Sequence, residues 1–198
     1  MQLLIIRHAI AVERGTPGIP DEDRPLTPEG EEKFAEAAKG LASIVDQPVA
    51  LLTSPLLRAK QTASLAAAAW GRIEPTEAAA LAGGSFEEYA AVLDRHRGDA
   101  TVAIVGHEPH VSALLGRLLG SRHTDRLAFK KGGAALVDVP GRLAAARNSD
   151  LLVRAARQER RAFIGLARLL HRALLEAKPA DLALRALQAM ARGRPIAP

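Results

Sequence analysis

The sequence of 198 residues contains no cysteine and few aromatic residues. The missing cysteines exclude disulfides, thiol nucleophiles and thiolate metal sites, and they are typical of a reducing compartment. Aromatic residues make up 3% of a chain that is 48% hydrophobic, so the core has to be built from aliphatic side chains. No apolar stretch reaches the roughly 18 residues that a membrane span needs, and the first segment lacks the pattern of a signal peptide. We therefore expect a cytoplasmic protein.

The net charge of +5 is unevenly distributed along the chain. Residues 1–140 carry 15 basic and 18 acidic side chains, a balance of −3, whereas residues 141–198 carry 12 and 4, a balance of +8. The apolar pattern within residues 141–198 predicts an amphipathic helix over about residues 150–177 and a shorter helix after Pro179. The apolar residues at helical spacing are Leu152, Ala156, Phe163, Leu166, Leu170 and Leu174. We predict a globular domain over residues 1–140 and a basic helical extension over residues 141–198.

The basic extension has several possible contacts. It could pack on the domain, associate with a second copy, bind an acidic protein or polyanion, or lie on an anionic membrane. Packing or self-association fits its Leu and Ala face best, because aromatic anchors are nearly absent. Nucleic-acid binding is not expected, since no aromatic residues are interleaved with the arginines and no known module is present.

Short apolar segments alternate with helix start signals over residues 1–140. Residues 3–6, 49–53, 101–105 and 134–139 have the composition of strands that are buried on both faces. Helices are predicted over about residues 28–45, from residue 54, over FEEYAAVLDRHR and over residues 109–119. Their start signals are Thr27-Pro28, Ser54-Pro55, the capping box of Ser85 with Glu88, and Pro109. This alternation predicts βαβ units and a parallel sheet.

Polar residues that could bind phosphate follow three of the predicted strands. Arg7 and His8 follow the first strand, Arg58 follows the second, and His107 follows the third. Ligands of open α/β sheets bind beyond the carboxyl ends of the strands, so we expect these side chains at one edge. Guanidiniums match phosphate oxygens, while one imidazole could attack phosphorus and the other could donate a hydrogen bond or move a proton. The four residues therefore predict a phosphate site with a nucleophile.

Each of these residues also has an ordinary structural explanation. A lone histidine is more often a surface or core residue than a catalyst. Arg58 could lie on a solvated helix face, and His107 could cap the next helix. The other histidines have no comparable position after a strand: His96, His110, His123 and His171. The coincidence of four such residues at one edge favours a shared anion site.

Four motifs, in this order, resemble the histidine phosphatase superfamily. They are LLIIRHA, DEDRPLTPEG, LLTSPLLRAKQTA and VAIVGHEPHVSALL. Over about residues 1–140 the chain is most similar to the short, SixA-like branch of phosphohistidine phosphatases. The resemblance implies a three-layer α/β/α fold with a mostly parallel central sheet, as in phosphoglycerate mutase-like proteins. It also implies that His8 is the phosphorylated nucleophile, that Arg7, Arg58 and His107 complete the phosphate pocket, and that no metal or other cofactor is needed.

One difference between this sequence and the larger members of the superfamily bears on the substrate. Larger members use a glutamate after the second arginine to protonate an alkoxide leaving group, but the stretch ALAGGSFEEY has two glycines before any carboxylate. Phosphohistidine leaves more readily, so we expect a protein phosphohistidine as the substrate. The alternatives are a phosphatase of small phosphomonoesters or phosphoanhydrides, and a catalytically poor phosphate-binding module whose basic tail docks a partner.

Further candidate residues lie in the loops near the predicted site. Asp21, Glu13 and Glu108 are candidates for a proton donor. Arg24 could bind a substrate phosphate, or it could form a loop salt bridge with Asp21 or Asp23.

Overall fold

The structure is a computed structural model that describes residues 1–71, 73–96, 100–119, 127–139 and 143. The strands are β1 (Gln2–Arg7), β2 (Ala50–Thr53), β3 (Pro75–Glu77), β4 (Thr101–Gly106) and β5 (Ala134–Asp138). The helices are α1 (Pro28–Ala42), α2 (Leu57–Trp70), α3 (Phe86–Leu93) and α4 (His110–Leu118), with a short 3₁₀ helix at Ala79–Ala82. The predicted helices after residue 149 lie outside the described residues, and the division of the chain at residue 140 stays a prediction.

The five strands form one sheet in the order β3-β2-β4-β1-β5. Four of the strands run parallel to one another, namely β3, β2, β4 and β1. The fifth strand, β5, pairs with β1 in the antiparallel direction. β1 is an interior strand because β4 and β5 flank it. The mostly parallel central sheet that the sequence implied is therefore confirmed.

Side chains of β1 alternate between two cores, one on each face of the sheet. Leu4 and Ile6 belong to the cluster that contains residues of α1 and α2. Leu3 and Ile5 belong to the cluster that contains residues of α3 and α4. All four are completely buried, which explains why this strand is a continuous apolar run rather than an alternating one. Helices on both faces give the implied three-layer α/β/α architecture.

Helix α1 begins at the predicted signal. The hydroxyl of Thr27 accepts a hydrogen bond from the Gly30 N–H at 3.0 Å, which satisfies one of the unpaired donors of the first turn. The helix ends three residues earlier than predicted. Ser43 takes the C-cap position, and its hydroxyl donates to the carbonyl of Gly40 at 2.7 Å. One further i→i−4 bond, from the Val45 N–H to the Leu41 carbonyl at 2.9 Å, lies beyond this end.

The predicted start of α2 at Ser54 is wrong. The helix begins at Leu57, and no side chain caps it. The Ser54 N–H instead donates to the Val105 carbonyl at 3.1 Å, which extends the pairing of β2 with β4. Its hydroxyl lies 2.8 Å from Nε2 of His107. Tertiary contacts thus engage the N–H and the hydroxyl of Ser54, and the residue lies before the helix rather than at its N-cap.

The remaining helices follow their predicted signals, with shorter spans. The capping box of α3 is confirmed, because the Ser85 N–H donates to Oε2 of Glu88 at 2.7 Å and the Glu88 N–H donates to the Ser85 hydroxyl at 3.2 Å. α3 ends at Leu93 with Asp94 as its C-cap, whereas the prediction continued over DRHR. β3 was not predicted, because a three-residue edge strand of sequence PTE lacks a hydrophobic pattern.

Candidate active site

The residues predicted for the site lie at the carboxyl edge of the parallel strands. In the pairing of β1 with β4, Arg7 is opposite Gly106, and in the pairing of β2 with β4, Thr53 is opposite Val105. The N–H of His8 donates to the carbonyl of Gly106 at 3.0 Å. The ends of β1, β2 and β4 therefore coincide, and the residues that follow them share one rim, as the sequence predicted.

His8 is buried, and its hydrogen bonding determines its tautomer. Its Nδ1 lies 2.7 Å from the carbonyl oxygen of Ala9. A carbonyl oxygen can only accept, so Nδ1 carries the hydrogen and the lone pair remains on Nε2. Burial, together with the charges of His107, Arg58 and Arg7, lowers the pKa of His8 to about 3. The imidazole is therefore neutral near pH 7, which is the form that a nucleophile requires.

His107 faces His8, with the two ring centroids 5.0 Å apart. The hydroxyl of Ser54 lies 2.8 Å from Nε2 of His107, and it accepts a hydrogen bond from the Leu56 N–H at 3.3 Å. The hydroxyl has no acceptor other than Nε2 among the described residues, so it is assigned as the donor to Nε2, and Nδ1 of His107 then carries a hydrogen. Burial first, and then the charge of Arg58, lowers the pKa of His107 to about 4. His107 is thus a neutral hydrogen-bond donor near pH 7.

The alternative explanations of Arg58 and His107 do not hold. Arg58 is 3% exposed, so it does not lie on a solvated helix face. His107 does not cap α4, because Pro109 occupies the N-cap position and no side chain caps that helix. Both residues are therefore held at the rim by tertiary contacts.

The two guanidiniums are each anchored from one side. Nη1 of Arg7 donates to the carbonyl of Phe129. Nη1 of Arg58 donates to the backbone carbonyl of Asp21 at 2.6 Å, and its Nη2 donates to Oδ2 of the same residue at 3.3 Å. Burial lowers the pKa of both arginines, but a guanidinium stays charged at any working pH. The site therefore holds two fixed positive charges.

Three of the four predicted residues present a buried donor that has no partner among the described residues. These donors are Nε of Arg7, Nε of Arg58 and Nδ1 of His107. A buried donor without a partner costs about 1–3 kcal/mol, so three of them in one place require an explanation. An oxyanion carries several acceptor lone pairs and would also neutralise the excess positive charge. The arrangement therefore fits a phosphate-like anion.

The Asp21 carboxylate binds three arginine side chains rather than acting as an acid. Oδ1 accepts from Nε of Arg24 and from Nε of Arg14, each at 2.9 Å, and Arg58 contacts Oδ2. The hydrogen bond from Arg14, followed by the charges of Arg58 and Arg24, lowers the pKa of Asp21 to about 2. Because the carboxylate is ionised near pH 7, it is unsuited to donate a proton. Arg24 forms the predicted loop salt bridge with Asp21, and its contact with a substrate phosphate stays a prediction.

Glu108 supports the other arginine through the backbone of one residue, Phe129. Its Oε1 accepts from the Phe129 N–H at 2.7 Å and from the Ser112 hydroxyl at 2.6 Å. The carbonyl of the same Phe129 accepts from Arg7. Glu108 therefore fixes the residue that orients Arg7. The third predicted acid, Glu13, is exposed.

The sequence interpretation missed residues that hold the rim together. Thr62 accepts from the Ala9 N–H at 3.0 Å and donates to the carbonyl of Arg58 at 2.7 Å. Gln61 accepts from the Leu26 N–H at 2.7 Å. These polar residues stand three and four positions after Arg58, so they share its helix face, and this spacing was a signal that could have identified them.

The described residues offer neither a metal site nor a membrane span. Within the described ranges, no group of three or more His, Asp or Glu side chains is placed to hold a metal ion. No helix in this part of the chain is long and apolar enough to cross a membrane. The expectation of a reaction without metal or cofactor stays a prediction.

Comparison with known proteins gives matches in both sequence and structure. Residues 3–91 match the family model described as histidine phosphatase superfamily (branch 1). An uncharacterized protein of Picosynechococcus sp. is 36% identical over 136 residues, which cover 67% of this chain and 82% of that protein. A SixA structure from Agrobacterium tumefaciens is 25% identical with a TM-score of 0.61, and the match covers 69% of this chain and 90% of that one.

Two further solved structures extend the comparison. The protein histidine phosphatase SixA complexed with tungstate is 26% identical with a TM-score of 0.62, and the match covers 70% of this chain and 88% of that one. A mycobacterial glucosyl-3-phosphoglycerate phosphatase is 18% identical with a TM-score of 0.53. The match covers 68% of this chain and 88% of that one, and the two chains share the fold.

The sheet order, the rim of arginines and histidines and these matches agree with one another, and the chain belongs to the histidine phosphatase superfamily. Within that superfamily it is SixA-like, and it is a phosphatase. The prediction from the four sequence motifs is thereby confirmed. The roles of the individual site residues stay predictions.

Proposed function

We propose that the protein dephosphorylates protein phosphohistidine through a covalent phosphohistidine on His8. The observation that carries the proposal is the state of His8, which is buried and neutral and keeps its lone pair on Nε2 among cationic and donor groups. The likeness to a structure described as the protein histidine phosphatase SixA complexed with tungstate supports both the substrate class and the binding of an oxyanion.

The reaction proceeds in two transfers. Nε2 of His8 attacks phosphorus and forms a P–N bond, while the bond to the leaving group breaks. A water molecule then attacks the same phosphorus, the P–N bond to His8 breaks, and inorganic phosphate leaves. Arg7 and Arg58 stabilise the negative charge on the transferring group, and Nδ1–H of His107 donates to one of its oxygens.

The preference for phosphohistidine rests on how its leaving group departs. An alkoxide needs a proton as the P–O bond breaks, whereas the imidazole of a phosphohistidine leaves as a neutral ring when its other nitrogen is protonated. Position 83 carries glycine, and the carboxylates of Asp21 and Glu108 each accept two or more hydrogen bonds. A substrate that needs little acid assistance suits this site.

Trapping the phosphoenzyme tests the mechanism. The full chain is incubated with labelled phosphoramidate in the presence of a chelator, and the label is then tested for stability in acid and in base. We expect an acid-labile, base-stable label in the wild type and in the control His96→Asn, and no label in His8→Asn. His96 is a suitable control because it lies between α3 and the beginning of β4, at the edge of the sheet opposite to the carboxyl ends of the strands.

The trapping experiment also has outcomes against the proposal. Label that persists in His8→Asn would refute His8 as the nucleophile. Loss of labelling with the chelator would refute a metal-free reaction. If the wild type takes up no label from any phosphoryl donor, the phosphate-binding module becomes the better account.

A hydrolysis panel tests the substrate class. A phosphohistidine protein and common phosphomonoesters are compared at equal enzyme concentration by release of inorganic phosphate. We expect the larger kcat/KM for the phosphohistidine protein. A larger value for a small phosphomonoester would transfer the proposal to that substrate while leaving the mechanism intact.

A further inference from the structure

One histidine near the rim has no part in the reaction described above. His110 is the first residue of α4, and its ring is half-buried. Its Nδ1 is buried and has no hydrogen-bond partner among the described residues. Its charge, when present, lowers the pKa of His107, so the two imidazoles lie within electrostatic range of each other. This imidazole thus stands three residues after the pocket residue His107, and its buried Nδ1 is not used by the described residues around it.

The position of His110 relative to Gly83 is also informative. A Cβ built on Gly83 would lie 3.4 Å from Cε1 and 3.5 Å from Nε2 of His110. The imidazole therefore fills the space next to a backbone position that lacks a side chain. Gly83 follows β3, which is parallel to β2, and α4 follows β4. Both residues are therefore at the carboxyl edge of the sheet, where the nucleophile lies.

The carboxyl groups that could compete for the role of proton donor are engaged or exposed. Asp21 binds three guanidiniums, and Glu108 accepts hydrogen bonds from a backbone N–H and a hydroxyl. Glu13 is exposed on its loop. Of the described side chains near the pocket that have no part in the reaction above, His110 carries an imidazole, a group whose chemistry includes both donation and acceptance of a proton.

We propose that His110 is the general acid that protonates alkoxide leaving groups, and that it gives this site a second activity on phosphomonoesters. The proposal rests on the proposed function, because it requires the same nucleophile. The imidazole lies within van der Waals distance of Gly83 at the carboxyl edge of the sheet, and His110 supplies the proton that neither Asp21 nor Glu108 is placed to supply.

The proton balance closes over the two transfers. In the first, Nε2 of His8 bonds to phosphorus, the ester P–O bond breaks, and protonated His110 gives its proton to the departing oxygen, so the alcohol leaves. In the second, neutral His110 takes a proton from water while the water oxygen bonds to phosphorus and the P–N bond breaks. Hydrogen phosphate leaves, and both histidines return to their starting states.

Dependence on the leaving group tests this role. The full chain and His110→Asn are compared on an alkyl phosphate, such as glycerol phosphate, and on p-nitrophenyl phosphate, whose leaving group is stable as an anion. A general acid contributes about 100-fold or more for a basic leaving group, so we expect kcat/KM for the alkyl phosphate to fall by about that factor. The loss on p-nitrophenyl phosphate should be several-fold at most.

Two further variants keep the test decisive. His96→Asn is the matched control, and we expect it to behave like the wild type on both substrates. His110→Gln is the second variant, and circular dichroism of both position-110 variants checks that they are folded. An equal loss on both substrates in a folded variant would overturn the proposal, because it would indicate a positioning role. No loss on the alkyl phosphate, or no wild-type activity on it, would also overturn it.

Labelling separates this inference from the proposed function. Phosphoramidate has a leaving group that needs no proton from His110, so His110→Asn should still form the phosphoenzyme on His8. If the wild type forms no phosphoenzyme, the proposed function fails and the inference fails with it. If labelling is normal but the alkyl phosphate reaction does not depend on His110, the inference fails alone.

Discussion

The Asp21 carboxylate is expected to be essential for the orientation of Arg58, and Asp21→Asn tests this directly. The substitution removes the negative charge that contacts Nη2 of Arg58 at 3.3 Å. It leaves the backbone carbonyl that accepts from Nη1 at 2.6 Å. Arg58 is thus freed on one side only, while the excess positive charge of the rim increases.

The magnitude follows from the burial of the two partners. Removing one member of a fully buried ion pair costs about 3–5 kcal/mol. The Arg58 side chain is 4% exposed, but Asp21 is 37% exposed, so water screens part of the interaction. We therefore expect a loss of about 1–2 kcal/mol in the free energy of unfolding. We expect the misoriented Arg58 to stabilise the transition state less well, by a similar amount of free energy. Because about 1.4 kcal/mol corresponds to a tenfold change in rate, kcat/KM should fall by about 10-fold or more.

Steady-state kinetics and urea unfolding measure the two effects. Asp23→Asn is the matched control, because Asp23 stands two positions away on the same loop and is exposed. We expect the control to resemble the wild type and Asp21→Asn to bind inorganic phosphate more weakly as a competitive inhibitor. The reasoning would be refuted if the two variants had the same kcat/KM and the same inhibition constant.

Three other predictions concern the support of the rim. Gly30→Ala should destabilise the protein by at least about 1–3 kcal/mol, because the added Cβ would lie 2.1 Å from the backbone oxygen of Ile10 in the loop after β1. Gly40→Ala on the same helix meets nothing within 4 Å and should be neutral or slightly stabilising. Urea unfolding of the two variants measures the difference. Thr62→Val leaves a buried N–H beside His8 without its acceptor and should cost about 1–3 kcal/mol, and unchanged unfolding would contradict this. Because His8 and His107 are neutral when folded, with pKa values of about 3 and 4, but take up protons near pH 6.5 when unfolded, the free energy of unfolding should fall as the pH is lowered from 7 to 4. The fall should be smaller in His8→Asn, and equal slopes would argue against a depressed pKa.

Local signals predicted the beginnings of elements better than their ends. Thr27 caps α1 as its sequence context indicated, and the Ser85 capping box starts α3. Both depend on contacts over three residues, which a sequence displays directly. Ser54 was misassigned as a cap because its partner is His107, which is 53 positions away. A helix start signal and a tertiary hydrogen bond use the same hydroxyl, and only packing decides between them.

The sequence predicted which four residues lie together at the rim, but it did not predict the residues that hold them in place. Arg7, His8, Arg58 and His107 were recognisable because each follows a strand, and parallel strands end at one edge. Asp21 and Glu108 were only candidates for a proton donor, and in the structure they hold Arg58 and the residue that orients Arg7. Their roles depend on distances across loops, which no local pattern records.

The sequence by itself determined the succession of the four longer strands and the four α-helices, the two-sided burial of β1 and the family of the protein. These features follow from hydrophobic periodicity, capping residues and motifs that a local stretch of chain contains. The tertiary structure alone decided that burial keeps His8 neutral with its lone pair on Nε2. It also decided that His110 stands beside Gly83 within range of His107. Protonation and proximity depend on desolvation and on charges brought together from distant positions, and these exist only once the chain has folded.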